Sequence, residues 1–233
     1  MKILGIDSSS ISCSVGVWDA DKNELLAEGF INNGLTHSQT LLPMIDDVLT
    51  KANTSAKDID LIGITKGPGS FTGLRIGMAT AKGLACPTDI PCVCISTLEA
   101  IAQTASFAHN GILCAVMDAR CNQVYNALFK AENGVLTRLC DDRAISIEAL
   151  ENELKTLESA VVLCGDGVLV CEKNFKEIDF EIADEDVRLI KGSAVCKLTE
   201  KYKNEAKSPD KISPVYLRLP QASRELLKKK KEN

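Results

Sequence analysis

A chain of 233 residues, 45% hydrophobic and 25% charged, has the make-up of a soluble globular protein and the length to bury a sizeable core. The net charge is −5, and five basic against two acidic residues in the last twelve positions make that stretch +3 and the remainder −8. An acidic body argues against a broad RNA-binding face, and 4% aromatic content argues against stacking platforms for single-stranded bases. No apolar run approaches about 18 residues, so no membrane span is expected. The apolar run from Ile3 meets Asp7 too early for a signal peptide, and the ten cysteines read as reduced thiols of a cytoplasmic protein, several in strand-like runs (Cys13, Cys92, Cys94, Cys114, Cys164).

In chain order, residues 2–7, 12–19 and 24–31 read as three strands, with Asp19-Ala20-Asp21-Lys22-Asn23 as the turn between the second and third. Residues 38–52 then place Leu41, Leu42, Ile45, Val48, Leu49 and Ala52 on one helical stripe. Two helix starts fit. Thr36 as cap, with Gln39 reaching back, puts Pro43 in the second turn and bends the helix; Thr40 as cap puts Pro43 harmlessly in the first turn. A buried-strand run, 59–65, leads through a glycine-rich turn to a second helix over 72–85. There Gly73, Gly77, Thr80, Ala81 and Leu84 share one side, and Arg75, Met78, Ala79 and Lys82 another. Glycine inside a helix costs about 1 kcal/mol against alanine, so Gly73 and Gly77 need a packing reason. Docking on the chain's own sheet supplies one; a helix bundle with a partner is the alternative.

From residue 112 the pattern restarts. Residues 112–118, 123–130 and 135–140 read as three strands, 146–157 as a helix and 160–164 as a strand. Asp7 and Asp118 each end the first strand of their unit, and each fourth strand runs into a Gly-x-Gly, Gly67-Pro68-Gly69 and Gly165-Asp166-Gly167. This duplicated β-β-β-α-β order predicts an α/β protein of the actin-like ATPase (ribonuclease-H-like) fold, with halves at 1–108 and 109–218 and a basic tail at 219–233. A helix over 192–202 should pack back on one half, and Pro214-Val215-Tyr216-Leu217-Arg218 should be extended.

The run Gly67-Pro68-Gly69-Ser70-Phe71-Thr72-Gly73-Leu74-Arg75-Ile76-Gly77 is the most specific signal. It is neither a Walker A loop nor G-x-G-x-x-G; a tight turn feeding a helix explains it, and so does an anion cradle of free amides. Asp7-Ser8-Ser9-Ser10 resembles the first phosphate loop of actin-like ATPases. The matching Asp118-Ala119-Arg120-Cys121-Asn122 lacks a glycine, which argues against efficient ATP hydrolysis and leaves room for weak or shared ATP or ADP binding at Asp7, Ser8, Gly67, Gly69, Ser70 and Asp118. His37 and His109, 72 positions apart, make no metal or triad grouping; His37 beside a helix start reads as a capping or partner-facing residue.

Together, Ile3-Leu-Gly-Ile-Asp-Ser-Ser, Cys13-Ser-Val-Gly-Val-Trp, Thr36-His-Ser-Gln-x-Leu-Leu-Pro, the glycine-rich run, Asp118-Ala-Arg-x-x-x-Val-Tyr and Pro214-Val-Tyr-Leu-Arg resemble the bacterial TsaB (YeaZ) family. The resemblance spans nearly the whole chain and is densest over residues 2–100. It implies a non-catalytic paralogue of TsaD, the subunit that transfers threonylcarbamoyl to the adenosine next to the anticodon of tRNA through a metal held by H-x-x-x-H. No such pair occurs here. The family role is to scaffold TsaD, with the ATPase TsaE joining the assembly, tRNA reached only through the complex, and no cofactor required. The contact is a helical bundle that maps onto Leu41, Leu42, Ile45, Val48, Leu49, Leu74, Ile76 and Met78, a surface through which relatives also form homodimers. Two other readings compete: a stand-alone ATP-dependent enzyme or peptidase using Asp7, Gly67 and Gly69, and a tRNA-binding module using Arg224 and Lys228–Lys231.

Overall fold

The computed structural model describes residues 1–157 and 159–218, so the 219–233 tail and its lysines lie outside the described residues. Strands β1 (Lys2–Asp7), β2 (Cys13–Asp19) and β3 (Glu24–Ile31) form an antiparallel meander; helix α1 (His37–Lys51) follows, then β4 (Leu61–Gly67), α2 (Phe71–Ala85) and β5 (Cys92–Ser96). Helix α3 (Thr97–Ala105) leads to β6 (Gly111–Asp118), β7 (Gln123–Glu132), β8 (Val135–Arg138), β9 (Arg143–Ser146), α4 (Ile147–Leu154), β10 (Val161–Cys164), α5 (Val168–Asn174) and β11 (Glu181–Ile182). Two further helices close the described chain, α6 (Glu185–Arg188) and α7 (Gly192–Lys201).

The two sheets have the same plan. The first is ordered β3-β2-β1-β4-β5 and the second β11-β10-β6-β7-β8, with β9 also on β7. In each, the opening strand pairs antiparallel with the next one and parallel with the strand after the crossover helix. The parallel extends to the turns: Gly67 and Gly165, each just where the parallel strand ends, have φ of 111° and 104°.

Burial explains the layering. Leu41, Ile45 and Val48 of α1, with Met78 and Ala81 of α2, pack with Leu4, Ile6, Val15, Val17, Ile62 and Ile64 on the outer face of the first sheet. Helices α4 and α5 cover the outer face of the second through Leu150, Leu154, Val168 and Cys171. Between the sheets lie α3 and α7, where Leu98, Ile101, Val195 and Leu198 share one core with Ile3, Val93, Leu113 and Phe129. Every residue of α3 is buried, and its polar side chains Glu99 and Gln103 are bonded to protein groups around it. Among the described residues, no helix is long and apolar enough to cross a membrane.

Several local expectations are corrected. Thr36 occupies the N-cap of α1, which leaves Pro43 inside the helix, but its side chain makes no capping bond. Instead the His37 ring bonds the Ser10 carbonyl, Nε2 to O 2.8 Å, and ties the helix start to the loop after β1. The glycines of α2 owe their place to that loop rather than to the sheet alone. A Cβ on Gly73 would lie 2.1 Å from the Ser8 carbonyl oxygen, and one on Gly77 2.4 Å from Ser8 Oγ. Met78 turns inward, 4% exposed, away from the solvent side of Arg75.

Candidate functional site

Residues at or just beyond the carboxyl ends of β1, β4, β6 and β10 line a cleft of about 700 Å3, among them Ser9, Gly69, Ser70, Asp118, Arg120 and Asp166. Strand ends of this kind are where open α/β sheets bind ligands. Asp7, the last residue of β1, is fully buried behind this surface. Its Oδ1 accepts from Ser9 Oγ at 2.6 Å, Thr65 Oγ1 at 2.7 Å and the Ser9 amide at 3.1 Å, while Oδ2 has no partner. Burial pushes the Asp7 carboxyl above the ordinary range, against the hydrogen bonds from Ser9 and Thr65. Asp166, in the second Gly-x-Gly, is driven by burial up to about 6, with the charges of Asp118 and Asp7 adding to the rise. Its Oδ1 also has no partner.

Three main-chain donors at the cleft edge are engaged. The Ser70 amide donates to the Ser9 carbonyl at 2.7 Å, and the Ser70 hydroxyl caps α2 by accepting from the Gly73 amide at 3.2 Å. The Arg120 amide donates to Asp118 Oδ1 at 2.7 Å, and the Arg120 guanidinium lies 3.4 Å from Oδ2. Ser8 is buried with its hydroxyl on the Gly73 carbonyl at 2.9 Å. Gly69 lies against Ser9, where a Cβ would sit 2.3 Å from its carbonyl oxygen, and Gly67 lies against Val215, where the same distance would be 2.4 Å. Of the six nucleotide candidates, then, Gly69, Ser70 and Asp118 line the cleft, Asp7 lies behind them, and Ser8 and Gly67 are covered by α2 and by the chain near Val215. The amides of Ser70 and Arg120 are spent on protein acceptors, and three carboxylates, Asp7, Asp118 and Asp166, stand at or behind the cleft wall.

The sequence did not single out Thr65, Asp166, Tyr216 or Arg218 for this cleft. Asp166 had a signal, its place in a Gly-x-Gly matching Gly67-Pro68-Gly69.

A buried carboxylate with one unpartnered oxygen is a cost to the fold. A raised folded-state value means that this cost grows as pH rises through the unfolded value and is absent in acid. Asp7→Asn keeps the acceptor for Ser9 and Thr65 and removes the charge. It should raise the melting temperature at neutral pH by roughly 2–4 °C, the shift that about 1 kcal/mol gives in a chain of this size, and the gain should vanish in acid. Thermal melts across pH check this.

The helix face is divided. Leu41, Ile45, Val48, Leu49, Leu74 and Met78 are buried in the chain's own core, because the apolar stripe of each helix faces the first sheet. Leu42 is 57% exposed, Ile76 is half-buried, and Arg75, Ala79 and Gly83 face solvent. A Cβ on Gly83 would meet nothing within 4 Å.

Two sheets of one plan, with paired acidic strand ends facing a common cleft, define an actin-like, ribonuclease-H-like protein. The family model described as "TsaD: tRNA N6-adenosine threonylcarbamoyltransferase" matches residues 33–230. The tRNA threonylcarbamoyladenosine biosynthesis protein TsaB of Escherichia coli K12 is 32% identical over 228 residues, covering 94% of this chain and 95% of that one. TsaB of Bacillus subtilis 168 is 32% identical over 166 residues, 71% of each chain. The solved structure of YeaZ from Pseudomonas aeruginosa superposes with a TM-score of 0.79 at 22% identity, covering 93% of this chain and 99% of that one, and so shares its fold. This chain belongs to the TsaB family.

Proposed function

We propose that this chain serves tRNA threonylcarbamoyladenosine biosynthesis as a non-catalytic subunit in the cytoplasm, binding and activating a TsaD-type catalytic partner. The observation that carries the reading is the state of the cleft, whose amides at Ser70 and Arg120 are already bonded to Ser9 and Asp118. The two histidines, far apart in the sequence, add no H-x-x-x-H pair. What the molecule offers a partner is the solvent face of α1 and α2. Leu42 and Ile76 supply apolar contact there, and Ala79 and Gly83 let another helix come close. A TsaE-type ATPase joins the assembly, tRNA is met only in the complex, and the free chain pairs with itself through the same face. The duplicated units divide at 108/109, and the basic tail from 219 lies outside the described residues.

The stand-alone enzyme has one observation in its favour: the unpartnered buried oxygens of Asp7 and Asp166, acidic groups kept at a stability cost. Assaying the purified chain for ATP turnover separates the readings. The subunit reading expects a rate no higher than that of Asp7→Asn. Robust turnover that this substitution abolishes establishes the enzyme instead.

A further inference from the structure

We infer that residues 206–218 form a strap that ties the first sheet to the loop after β6 and so sets the opening of the cleft. The strap is anchored along the β5 side of the first sheet. Lys207 and Cys92 exchange both main-chain hydrogen bonds at 2.8 Å, Ile212 is 1% exposed in the core under α2, and the Val215 amide donates to the Lys66 carbonyl at 2.7 Å. Gly67, with its left-handed φ, leaves room for the Val215 carbonyl, which any side chain there would strike.

Beyond that point the strap crosses the start of α2. The Tyr216 ring packs at a tilt of 36° on Phe71 with centroids 4.8 Å apart, Arg75 Nε donates to the Tyr216 hydroxyl at 3.1 Å, and the Arg75 guanidinium covers Phe71 at 3.8 Å. Then Arg218 reaches the other side. Its guanidinium donates to the Ala119 carbonyl and, at 3.2 Å, to the Arg120 carbonyl. What it holds is an unusual loop: Arg120, Cys121 and Asn122 have φ of 65°, 55° and 54° in succession, left-handed conformations that only asparagine among the three adopts readily. A loop of that kind persists where its surroundings hold it. Val215, Tyr216, Leu217 and Arg218 all line the cleft, so the tie is one wall of it. Whatever bonds the Ala119 and Arg120 carbonyls in its place displaces Arg218 and loosens the strap beyond Tyr216.

Hydrogen exchange read by mass spectrometry on the full chain tests this. Arg218→Met keeps the stem and removes the donors. It should speed exchange over residues 118–124 by about tenfold or more and leave the strands of the first sheet and the melting temperature unchanged. Tyr216→Ala, which releases the strap from α2, should speed the same loop by a smaller factor. Unchanged loop exchange in both folded variants overturns the inference. So does acceleration spread evenly over the chain, which would mark general destabilisation.

Discussion

Leu42→Asp is expected to leave the chain folded and to weaken its complex with a TsaD-type subunit at least a hundredfold, with tRNA modification lost in proportion. Leu42 is 57% exposed and contributes nothing to the core beneath α1, so an aspartate there stays solvated in the free chain. In a helix bundle the same position is desolvated. Losing a central apolar anchor costs on the order of 2 kcal/mol or more, and an unpaired charge in its place adds to that. The contrast is one turn on. Ile45 is 1% exposed beneath the same helix, and Ile45→Asp should destroy the fold itself. Titration calorimetry alongside thermal melts separates the two effects. A folded Leu42→Asp chain that binds its partner at full strength would show that α1 is not the contact.

Glu99→Gln should be a damaging near-isosteric change in the layer between the sheets, at about 1 kcal/mol near neutral pH, because Arg138 and Lys201 remain partly solvated once the charge is gone. Glu99 is 5% exposed on α3. Its Oε1 accepts from Tyr202 Oη at 2.7 Å and Lys201 Nζ at 3.1 Å, and its Oε2 from the Arg138 guanidinium at 3.3 Å. The carboxylate therefore joins α3, β8 and the end of α7. Burial by itself would raise its pKa; the Tyr202 hydrogen bond and the charges of Lys201 and Arg138 overcome burial and hold it below the ordinary glutamate value. A carboxyl depressed in the folded state contributes its full stability above the unfolded value and loses it as pH falls through the folded one. Urea melts should thus show a gap between the two chains at pH 7 that closes in strong acid. A gap that persists unchanged in acid would place the damage in packing rather than in charge.

The repeat was legible because its markers are local. Asp7, Asp118 and the two Gly-x-Gly turns stand at fixed points of short apolar runs, and turn residues such as Glu132-Asn133-Gly134 announce each hairpin. Helix α3 was not legible. All nine of its residues are buried, so Glu99 and Gln103, one turn apart, mark a face bonded to protein and not to solvent, which periodicity does not announce. The stripe on α1 was read correctly as apolar, but periodicity cannot say what a stripe packs against. It packs on the first sheet, and Leu42 at its rim is what remains for another protein. The glycines of α2 posed the same ambiguity; their reason is Ser8, whose carbonyl lies against Gly73, 65 positions away, and whose hydroxyl lies against Gly77, and no local pattern encodes such an approach. Arg218 stood out as the end of an extended segment and of a family motif, without a role, because its carbonyl partners on Ala119 and Arg120 are brought to it by the fold alone.

The claim that this molecule lends surface to a working neighbour is tested most directly by measuring mass in solution with and without a TsaD-type subunit. Multi-angle light scattering should find the chain as a homodimer by itself. On titration with the partner it should convert to a one-to-one complex, and modification activity should rise as the complex forms. A mixture whose masses are those of the two separate proteins, with activity indifferent to this chain, would contradict the account.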